Sequence, residues 1–268
     1  MENHDIYQDP LVSRYTDEEM QKLFSDNFKY KTWRKCWTAL AESQMELGVK
    51  QINKDMVEEM RSASEKEIDY DLVRKKEKEI RHDVMAHVFE FGTKCPNAKG
   101  IIHLGATSQF VVCNTDLIQM RGALKIIRLQ LLKTIKNMSD FAEKHKETAT
   151  LGYTHYQPAQ PTTIGKRFTL YIQDLLLDLK QIENIEDEIK ARGAKGTVGT
   201  QATYMDLLGD YKKVDELDRK VTEKLGFEDS FMVTGQTYTR KLDSAVCKIL
   251  AGIAESAHKF AVDMRLMS

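Results

Sequence analysis

Two long stretches of the chain repeat an apolar residue every three or four positions, which is the spacing of one face of an α-helix. The first runs from about residue 109 to 147 without a proline, and the second from about 163 to 192. The repeated positions are Leu117, Met120, Leu124, Ile127, Leu131, Ile135 and Met138, then Ile164, Phe168, Tyr171, Leu175, Ile182, Ile185 and Ile189. The first helix would be about 60 Å long at ~1.5 Å per residue, so it needs packing partners along its whole length. The short segment between the two helices predicts that they pack antiparallel.

Shorter helical patterns surround these two. They cover about residues 26–47, 53–60, 214–224 and 238–268, together with a charged helix that ends near Ile80. Capping-box spacings at Thr16/Glu19 and Ser64/Glu67 predict helix starts, the second of them for this charged helix. In the helix at 26–47, the stripe that is predicted to face the core consists of Trp33, Trp37, Leu40, Gln44 and Leu47. Residues 1–15 look irregular. The last pattern reaches the final residue without a stop signal, which suggests a truncated product, a short isoform or one part of a larger protein.

Pro96 and Gly100 mark the best candidate boundary between domains. We therefore predict an all-α fold, with a small N-terminal helical domain at residues 1–96. Residues 97–268 would form the first part of a long-helix bundle.

Composition narrows the range of partners. Forty basic residues against 41 acidic ones give a net charge of −1, which argues against nucleic acid or an anionic membrane as the main partner. The four cysteines have no CxxC spacing, so neither a metal knuckle nor a disulfide framework is expected. With no signal peptide or membrane-length apolar run, the cytoplasm is the expected location.

The segment LGYTHYQPAQPTTIGKR, residues 151–167, separates the two long helices. Pro158 and Pro161 bias it toward rigid, extended geometry, and it carries a single imidazole at His155 next to Thr154. Histidine exchanges a proton near neutral pH, so His155 is a candidate catalytic residue. From the residues alone, a structural histidine in a helix-to-helix turn is the alternative, and it stays open.

Other chemistry-bearing residues cluster at breaks between helices. Arg81, His82 and Asp83 place a guanidinium, an imidazole and a carboxylate side by side, and they serve one ligand only if the segment is a loop or a helix start. Thr107 and Ser108 lie at the predicted mouth of the long helix, either as an anion site or as an ordinary N-cap.

Two further polar breaks, RGAKGTVGTQA at residues 192–202 and VTGQTYTRK at residues 233–241, bring glycines and the amides of Gln201 and Gln236. Arg14 and Tyr15 precede a predicted cap, where they would hold a phosphate or a planar ring, or simply anchor the surface. No nucleotide-triphosphate, dinucleotide or metal motif occurs, and no cofactor is expected.

Five motifs, taken in their order along the chain, resemble one family. GIIHLGATSQ, LGYTHYQPAQPTTIGKR and RGAKGTVGTQA, with RHDVMAH and TGQTYTRK, are similar to the adenylosuccinate lyase family of the aspartase/fumarase superfamily, in its animal-type form. The resemblance covers essentially the whole chain. It implies a homotetramer with sites shared between subunits, and release of fumarate from adenylosuccinate and from the succinylated aminoimidazole carboxamide ribotide.

The resemblance also implies roles for individual residues. His155 would protonate the departing nitrogen with Thr154 beside it, and His82 would assist it, flanked by Arg81 and Asp83. Arg14 and Tyr15 would hold the nucleotide, and Thr107 and Ser108 would hold the succinyl carboxylates. Gln236 would complete the pocket.

One family feature is missing from residues 1–268. The signature loop, Ser-Ser-x-Met-Pro-x-Lys-x-Asn-Pro, which carries the serine base, has no match here, so the chain alone is expected to be inactive. A non-catalytic isoform that acts as a helical oligomerisation or regulatory module is one alternative. Another superfamily member, such as argininosuccinate lyase or fumarase, is a second.

Overall fold

The computed structural model describes residues 9–268, and nearly all of its regular structure is helical, as the predicted all-α class requires. One small two-stranded sheet is the exception. Residues 1–8, part of the predicted irregular N-terminus, lie outside the described residues. The elements are α1 (Pro10–Tyr15), α2 (Glu18–Leu23), α3 (Asp26–Glu46), α4 (Lys54–Ser64), α5 (Tyr70–Ile80), α6 (Asp83–Lys94), α7 (Ser108–Lys144), β1 (Ala149–Thr154), β2 (Gln157–Thr163), α8 (Ile164–Glu186), a 3₁₀ turn (Thr197–Gly199), α9 (Ala202–Leu208), α10 (Tyr211–Lys224) and α11 (Lys241–Met267).

Contacts divide the chain into two compact units. The first comprises the chain up to Met120 together with Lys190–Thr239, and the second comprises Arg121–Ile189 and Arg240–Ser268. The predicted division after residue 96 falls inside the first unit, where Cys95 and Ala98 share one core. The domains 1–96 and 97–268 stay a prediction.

The core of the first unit is built around α3. Its two tryptophans, Trp33 and Trp37, are buried, and the ring of Trp37 stacks on Phe91 of α6 with the centroids 6.0 Å apart. The buried amide of Gln44, one turn before the end of α3, donates to the carbonyl of Leu104 at 2.9 Å. The predicted apolar face of this helix is therefore the face that packs.

A buried ion pair joins three parts of this core. Arg34 on α3 and Glu90 on α6 have side chains that are 2% and 0% exposed, and their charged groups lie 2.6 Å apart. Arg34 also donates to the carbonyls of Ala63 and Lys66, and Glu90 accepts from the backbone N–H of Asp69. The two side chains thus pair with each other and also supply hydrogen-bond partners to backbone groups between α4 and α5.

The second unit confirms that α7 and α8 pack antiparallel. Phe141, near the end of α7, contacts Phe168 at the start of α8, with ring centroids 4.4 Å apart. Arg128, sixteen positions from the end of α7, pairs with Glu186 at the end of α8 at 3.2 Å. The chain therefore turns back on itself between the two helices.

Helix α11 joins the same bundle and also runs antiparallel to α8. Tyr171 donates to Asp263 at 3.0 Å, and Ser256 donates to Asp178 at 2.6 Å. Large apolar side chains on these helices are nevertheless exposed, among them Leu129, Leu132, Leu170, Leu176, Leu177 and Leu250. The described unit leaves part of its apolar surface uncovered.

The segment between α7 and α8 is a β-hairpin, where the sequence predicted a rigid loop. Tyr153 pairs with Pro158, and Leu151 pairs with Pro161. Proline cannot donate to a ladder, but both strands are edge strands and tolerate it, and the extended bias of residues before proline favours β2. The predicted rigidity thus takes the form of a short sheet.

Residues 10–15, which were predicted to be irregular, are helical because Asp9 accepts from the N–H of Leu11 and Pro10 occupies the first helical position.

The two helix starts that were predicted from capping-box spacings were wrong. Ser64 is the last residue of α4 and its hydroxyl donates to Met60, so Asp69 caps α5 instead. At Thr16/Glu19, the cap is the neighbouring Asp17.

Removing one partner of the buried pair should destabilise the first unit strongly. We expect Glu90→Ala to lower the free energy of unfolding by about 3–5 kcal/mol, because it leaves the guanidinium of Arg34 buried without a carboxylate. Chemical denaturation of the 268-residue chain measures this. Glu223→Ala, which breaks an exposed ion pair with Arg219, is the control and should change little. Equal, small effects of the two changes would contradict the assigned importance of the buried pair.

Candidate active site

Three polar breaks of the first unit meet at one side chain. The amide nitrogen of Gln236 donates to the hydroxyl of Thr107 at 2.7 Å, and the amide oxygen accepts from the backbone N–H of Val198 at 2.7 Å. Val198 has a positive φ of 54°, uncommon for a β-branched residue. Residues far apart in sequence are thus joined by both ends of one amide group.

His82 lies at the same end of α7. It is the N-cap of α6, where its Nδ1 accepts from the N–H of Met85 at 3.4 Å, and its Nε2 lies 3.3 Å from the hydroxyl of Ser108. With Nδ1 accepting, the neutral ring carries its proton on Nε2 and donates it to Ser108. His82 and Ser108, selected from the sequence as separate candidates, are therefore in contact.

The segment around His82 meets the condition set by the sequence, because it is a helix start. Arg81 has a left-handed φ of 54° and ends α5, whereas Asp83 is the first residue of α6. The carboxylate of Asp83 lies 3.5 Å from Nδ1 of His82, so it faces that ring when the ring is protonated. All three side chains are exposed.

His103 is a site residue that the sequence reasoning missed, although it lies in the GIIHLGATSQ motif. Trp37 donates its indole N–H to Nδ1 of His103 at 2.8 Å. Burial is the main cause that lowers the pKa of His103 to about 4, and nearby His82 contributes in the same direction. The ring is therefore neutral at pH 7, with its proton on Nε2. The structure marks His103 by its positive φ of 69°, but a backbone angle cannot be read from the sequence.

These groups form a site suited to an anionic, oxygen-rich ligand. Thr107 and Ser108 stand at the first turn of the 37-residue helix α7, where unpaired backbone N–H groups favour negative charge. Around them are the N–H donors of His82 and Gln236. The arrangement offers hydrogen-bond donors and proton-exchanging groups on one exposed surface of the first unit.

His155 and Thr154 lie in the second unit, at the tip of the hairpin. His155 and Tyr156 form its two-residue turn, with φ of 52° and 55°, the pattern of a type I′ turn. Neither residue is glycine or asparagine, which this turn prefers, so the backbone of the turn is strained. Both side chains are exposed, as is Thr154.

Arg14 and Tyr15 are in the last turn of α1, which corrects their predicted position outside a helix. Both are exposed, Tyr15 to 79%. Gln201 has a structural role, since its amide donates to the carbonyl of Ala194 at 3.3 Å.

Within residues 9–268, no cluster of three or more histidine, cysteine or acidic side chains is arranged to hold a metal ion. The four cysteines, Cys36, Cys95, Cys113 and Cys247, form no disulfide bond. No described helix is both long enough and apolar enough to span a bilayer.

A bundle of long helices with a histidine-, hydroxyl- and amide-lined site at a helix start is the architecture of an α-helical enzyme. The family model described as lyase matches residues 3–268, and the chain belongs to that lyase family.

Relatives and solved structures agree with this membership. The chain is 48% identical to an adenylosuccinate lyase of Saccharomyces cerevisiae and 44% identical to one of Schizosaccharomyces pombe, in each case over 100% of this chain and 56% of the relative. It therefore spans about half the length of these curated relatives. A crystal structure of a fumarate lyase from Mesorhizobium sp. BNC1 superposes with a TM-score of 0.83 at 22% identity, covering 94% of this chain and 57% of that one, which shows the shared fold.

The bond from Trp37 should hold His103 neutral. We expect Trp37→Phe to raise the pKa of His103 by roughly one unit, because a bond to Nδ1 worth about 1 kcal/mol stabilises the neutral ring. NMR titration of ring-labelled histidine, assigned with His103→Gln, measures the change.

His87 is the internal control for that titration. It is also buried with a pKa lowered to about 4, but it stacks on Tyr30 with no bond to the indole N–H of Trp37. Its pKa should stay near 4 in Trp37→Phe. An unchanged His103, or equal shifts in both rings, would contradict the role given to Trp37.

Proposed function

We propose that this chain provides part of the active site of an adenylosuccinate lyase, which eliminates fumarate from adenylosuccinate to give AMP and from the related succinylated aminoimidazole carboxamide ribotide in purine biosynthesis. The observation that carries the proposal is the meeting of three polar breaks at Gln236, next to the His82–Ser108 pair. The same segments supply the motifs of the family resemblance. The names of the yeast relatives support the same substrate.

The chemistry of such an elimination sets three requirements. A base removes a proton from the carbon next to a carboxylate, hydrogen-bond donors stabilise the negative charge that develops, and an acid protonates the nitrogen as the C–N bond breaks. Electrons of the C–H bond form the new C=C bond of fumarate, and those of the C–N bond leave with the nitrogen. Residues 1–268 offer groups for the second and third requirements.

The first-unit cluster suits the succinyl carboxylates. Thr107 and Ser108 present hydroxyls at the N-terminus of α7, where negative charge is stabilised. Gln236 and His82 are already bonded to these hydroxyls, so they hold them in place. Carboxylates would bind here through preoriented donors, and Gln236 would close the pocket.

We assign the acid role to His155. Its imidazole projects from the tip of a hairpin whose backbone is held by strand pairing and by Arg167, which donates to the carbonyl of Leu151 at 2.7 Å. An exposed imidazole on a fixed backbone can be protonated by solvent and then donate to a ligand. Thr154, the last residue of β1, directly precedes it and offers a hydroxyl to that ligand.

The nucleotide part of the substrate needs cationic and planar partners. Arg14 and Tyr15 at the end of α1, with Arg81 and Asp83 around His82, are exposed and supply guanidinium, ring and carboxylate groups. Guanidinium binds phosphate in a bidentate manner, and carboxylate binds ribose hydroxyls.

We also propose that the protein self-associates as a homotetramer in the cytoplasm. The exposed apolar side chains on α7, α8 and α11 support assembly, because such surfaces mark protein contacts. Four cysteines that form no disulfide bond are consistent with a reducing compartment.

A chimera tests the activity. Residues 1–268 are fused to the part of the Saccharomyces cerevisiae relative that follows its matched segment, and the fall in adenylosuccinate absorbance is followed together with fumarate release. The 268-residue chain alone is assayed beside it. We expect turnover by the chimera only.

His155→Ala in the chimera should lower kcat by about 10²-fold or more, because the leaving nitrogen loses its proton donor. The matched control is His258→Ala, which removes another exposed histidine of the second unit, on α11, and should leave kcat near that of the parent. A kcat for His155→Ala close to the parent value would remove His155 from the mechanism. Circular dichroism of each variant checks that the fold is retained.

The same assays separate the alternatives. A folded chimera that uses argininosuccinate or malate but not adenylosuccinate would point to another superfamily member. A folded chimera with no turnover, from a chain that lowers the activity of the yeast enzyme on mixing, would favour the regulatory module.

A further inference from the structure

Arg192 is a fully buried guanidinium that binds backbone rather than a single carboxylate. Its exposed fraction is 0%. One terminal nitrogen donates to the carbonyl of Lys195, and the other donates to that of Gly196 at 2.9 Å. The same side chain reaches a second segment, with Nε 3.2 Å from the carbonyl of Gln236 and a terminal nitrogen 3.5 Å from that of Gly235. All four carbonyls that accept from Arg192 therefore lie where two glycine-containing loops meet.

The two loops, residues 192–201 and 233–239, touch closely at a second point. Gly199 has a φ of 82°, and a Cβ on it would overlap the carbonyl of Thr234. Next to this contact, the N–H of Val198 donates to the side chain of Gln236. The loops thus need both a small residue at their contact and a donor that gathers their carbonyls.

The first loop is anchored independently of the second. Asp218 on α10 accepts from the backbone N–H of Ala194, from Lys195 at 2.9 Å and from Ser230 at 2.5 Å. Asn114 on α7 exchanges two bonds with the backbone of Gly193. The loop at 192–196 is therefore a fixed base, to which Arg192 ties the loop that carries Gln236.

We propose that Arg192 is a positioning residue of the candidate site, which holds the backbone of Gly235 and Gln236 so that the Gln236 amide bridges Val198 and Thr107. The proposal rests on the proposed function for what the site does, but the positioning itself is a property of the loops.

Arginine fits this task better than lysine. A planar guanidinium presents five N–H donors in a fixed fork, so it can serve several carbonyls at once. An ammonium is a single point on a flexible stem and would leave some of these buried carbonyls without donors. Arg192→Lys keeps the charge and removes the fork, which makes it the informative substitution.

Hydrogen–deuterium exchange of the 268-residue chain tests the positioning without any assay of activity. In Arg192→Lys we expect the amides of residues 198–200 to exchange about tenfold faster or more, because their hydrogen bonds, including the one from Val198 to the side chain of Gln236, open more often. The matched control is Arg34→Lys, another buried arginine that donates to two loop carbonyls but makes no contact with this site. It should speed exchange near residues 63–69 only.

Unchanged exchange at 198–200 in Arg192→Lys would overturn the proposal, as would an equal increase throughout the first unit. Arg192→Gln, which removes the charge and leaves two donors on a shorter side chain, is the second variant and should also speed exchange at these residues. Failure of both variants to fold, with Arg34→Lys folded, would make Arg192 a residue of the fold instead.

A double-mutant cycle in the chimera links positioning to function. Arg192→Lys and Gln236→Ala should each raise KM by roughly tenfold, and the double variant should raise it no further, because Arg192 acts through Gln236. Effects that multiply to about 100-fold would overturn the role. An inactive parent chimera would refute the proposed function alone, since the exchange experiment still decides whether Arg192 positions Gln236.

Discussion

The first unit depends on buried arginines that supply hydrogen-bond donors to the backbone between helices. Loop carbonyls that are turned inward cannot be solvated, and they are costly when no donor reaches them. Arg34 serves the turn from α4 to α5, and Arg192 serves the two loops below Gln236. Arg34 is balanced by Glu90, but Arg192 gives its N–H groups to carbonyls alone. The loops that carry the candidate site are therefore shaped by side chains that never reach the surface.

The packing of the second unit is determined by the length of helix α7. A helix of 37 residues cannot bury its apolar stripe against one short neighbour, so α8 and α11 run alongside it, joined by bonds such as Tyr171 to Asp263. Leu129 and Leu132 of α7 lie outside this stripe and remain exposed, so α8 and α11 do not cover all apolar side chains of the helix. The hairpin between α7 and α8 follows from the same antiparallel packing. Because the end of α7 and the start of α8 lie close together, the two strands between them can pair and close in a two-residue turn. His155 stands on that turn.

The sequence predicted those features that depend on local periodicity and failed at those that depend on distant partners. The long helices, their antiparallel packing and the buried face around Trp37 follow from spacing alone. The start of α5 was misplaced because Ser64 found a helical carbonyl at Met60, a contact that no capping pattern reveals. The hairpin was missed because prolines are read as strand breakers, although edge strands tolerate them. His82 and Ser108 were both selected as candidates, but their 3.3 Å approach depends on tertiary structure.

The histidines of the chain divide the chemistry between them. With a pKa of about 4, His103 would be protonated in only about one molecule in a thousand at pH 7, so it serves as a neutral N–H donor and not as the acid. His82 is engaged through both ring nitrogens, with Met85 on one side and Ser108 on the other. Delivering its Nε2 proton to a ligand would break the bond that orients Ser108. An acid for the leaving nitrogen must be free to gain a proton from solvent and to give it up again, which favours an exposed imidazole on a fixed backbone. The hairpin supplies that combination at His155, an exposed imidazole on a backbone held by strand pairing, which is why the proposed function gives the acid role to this residue.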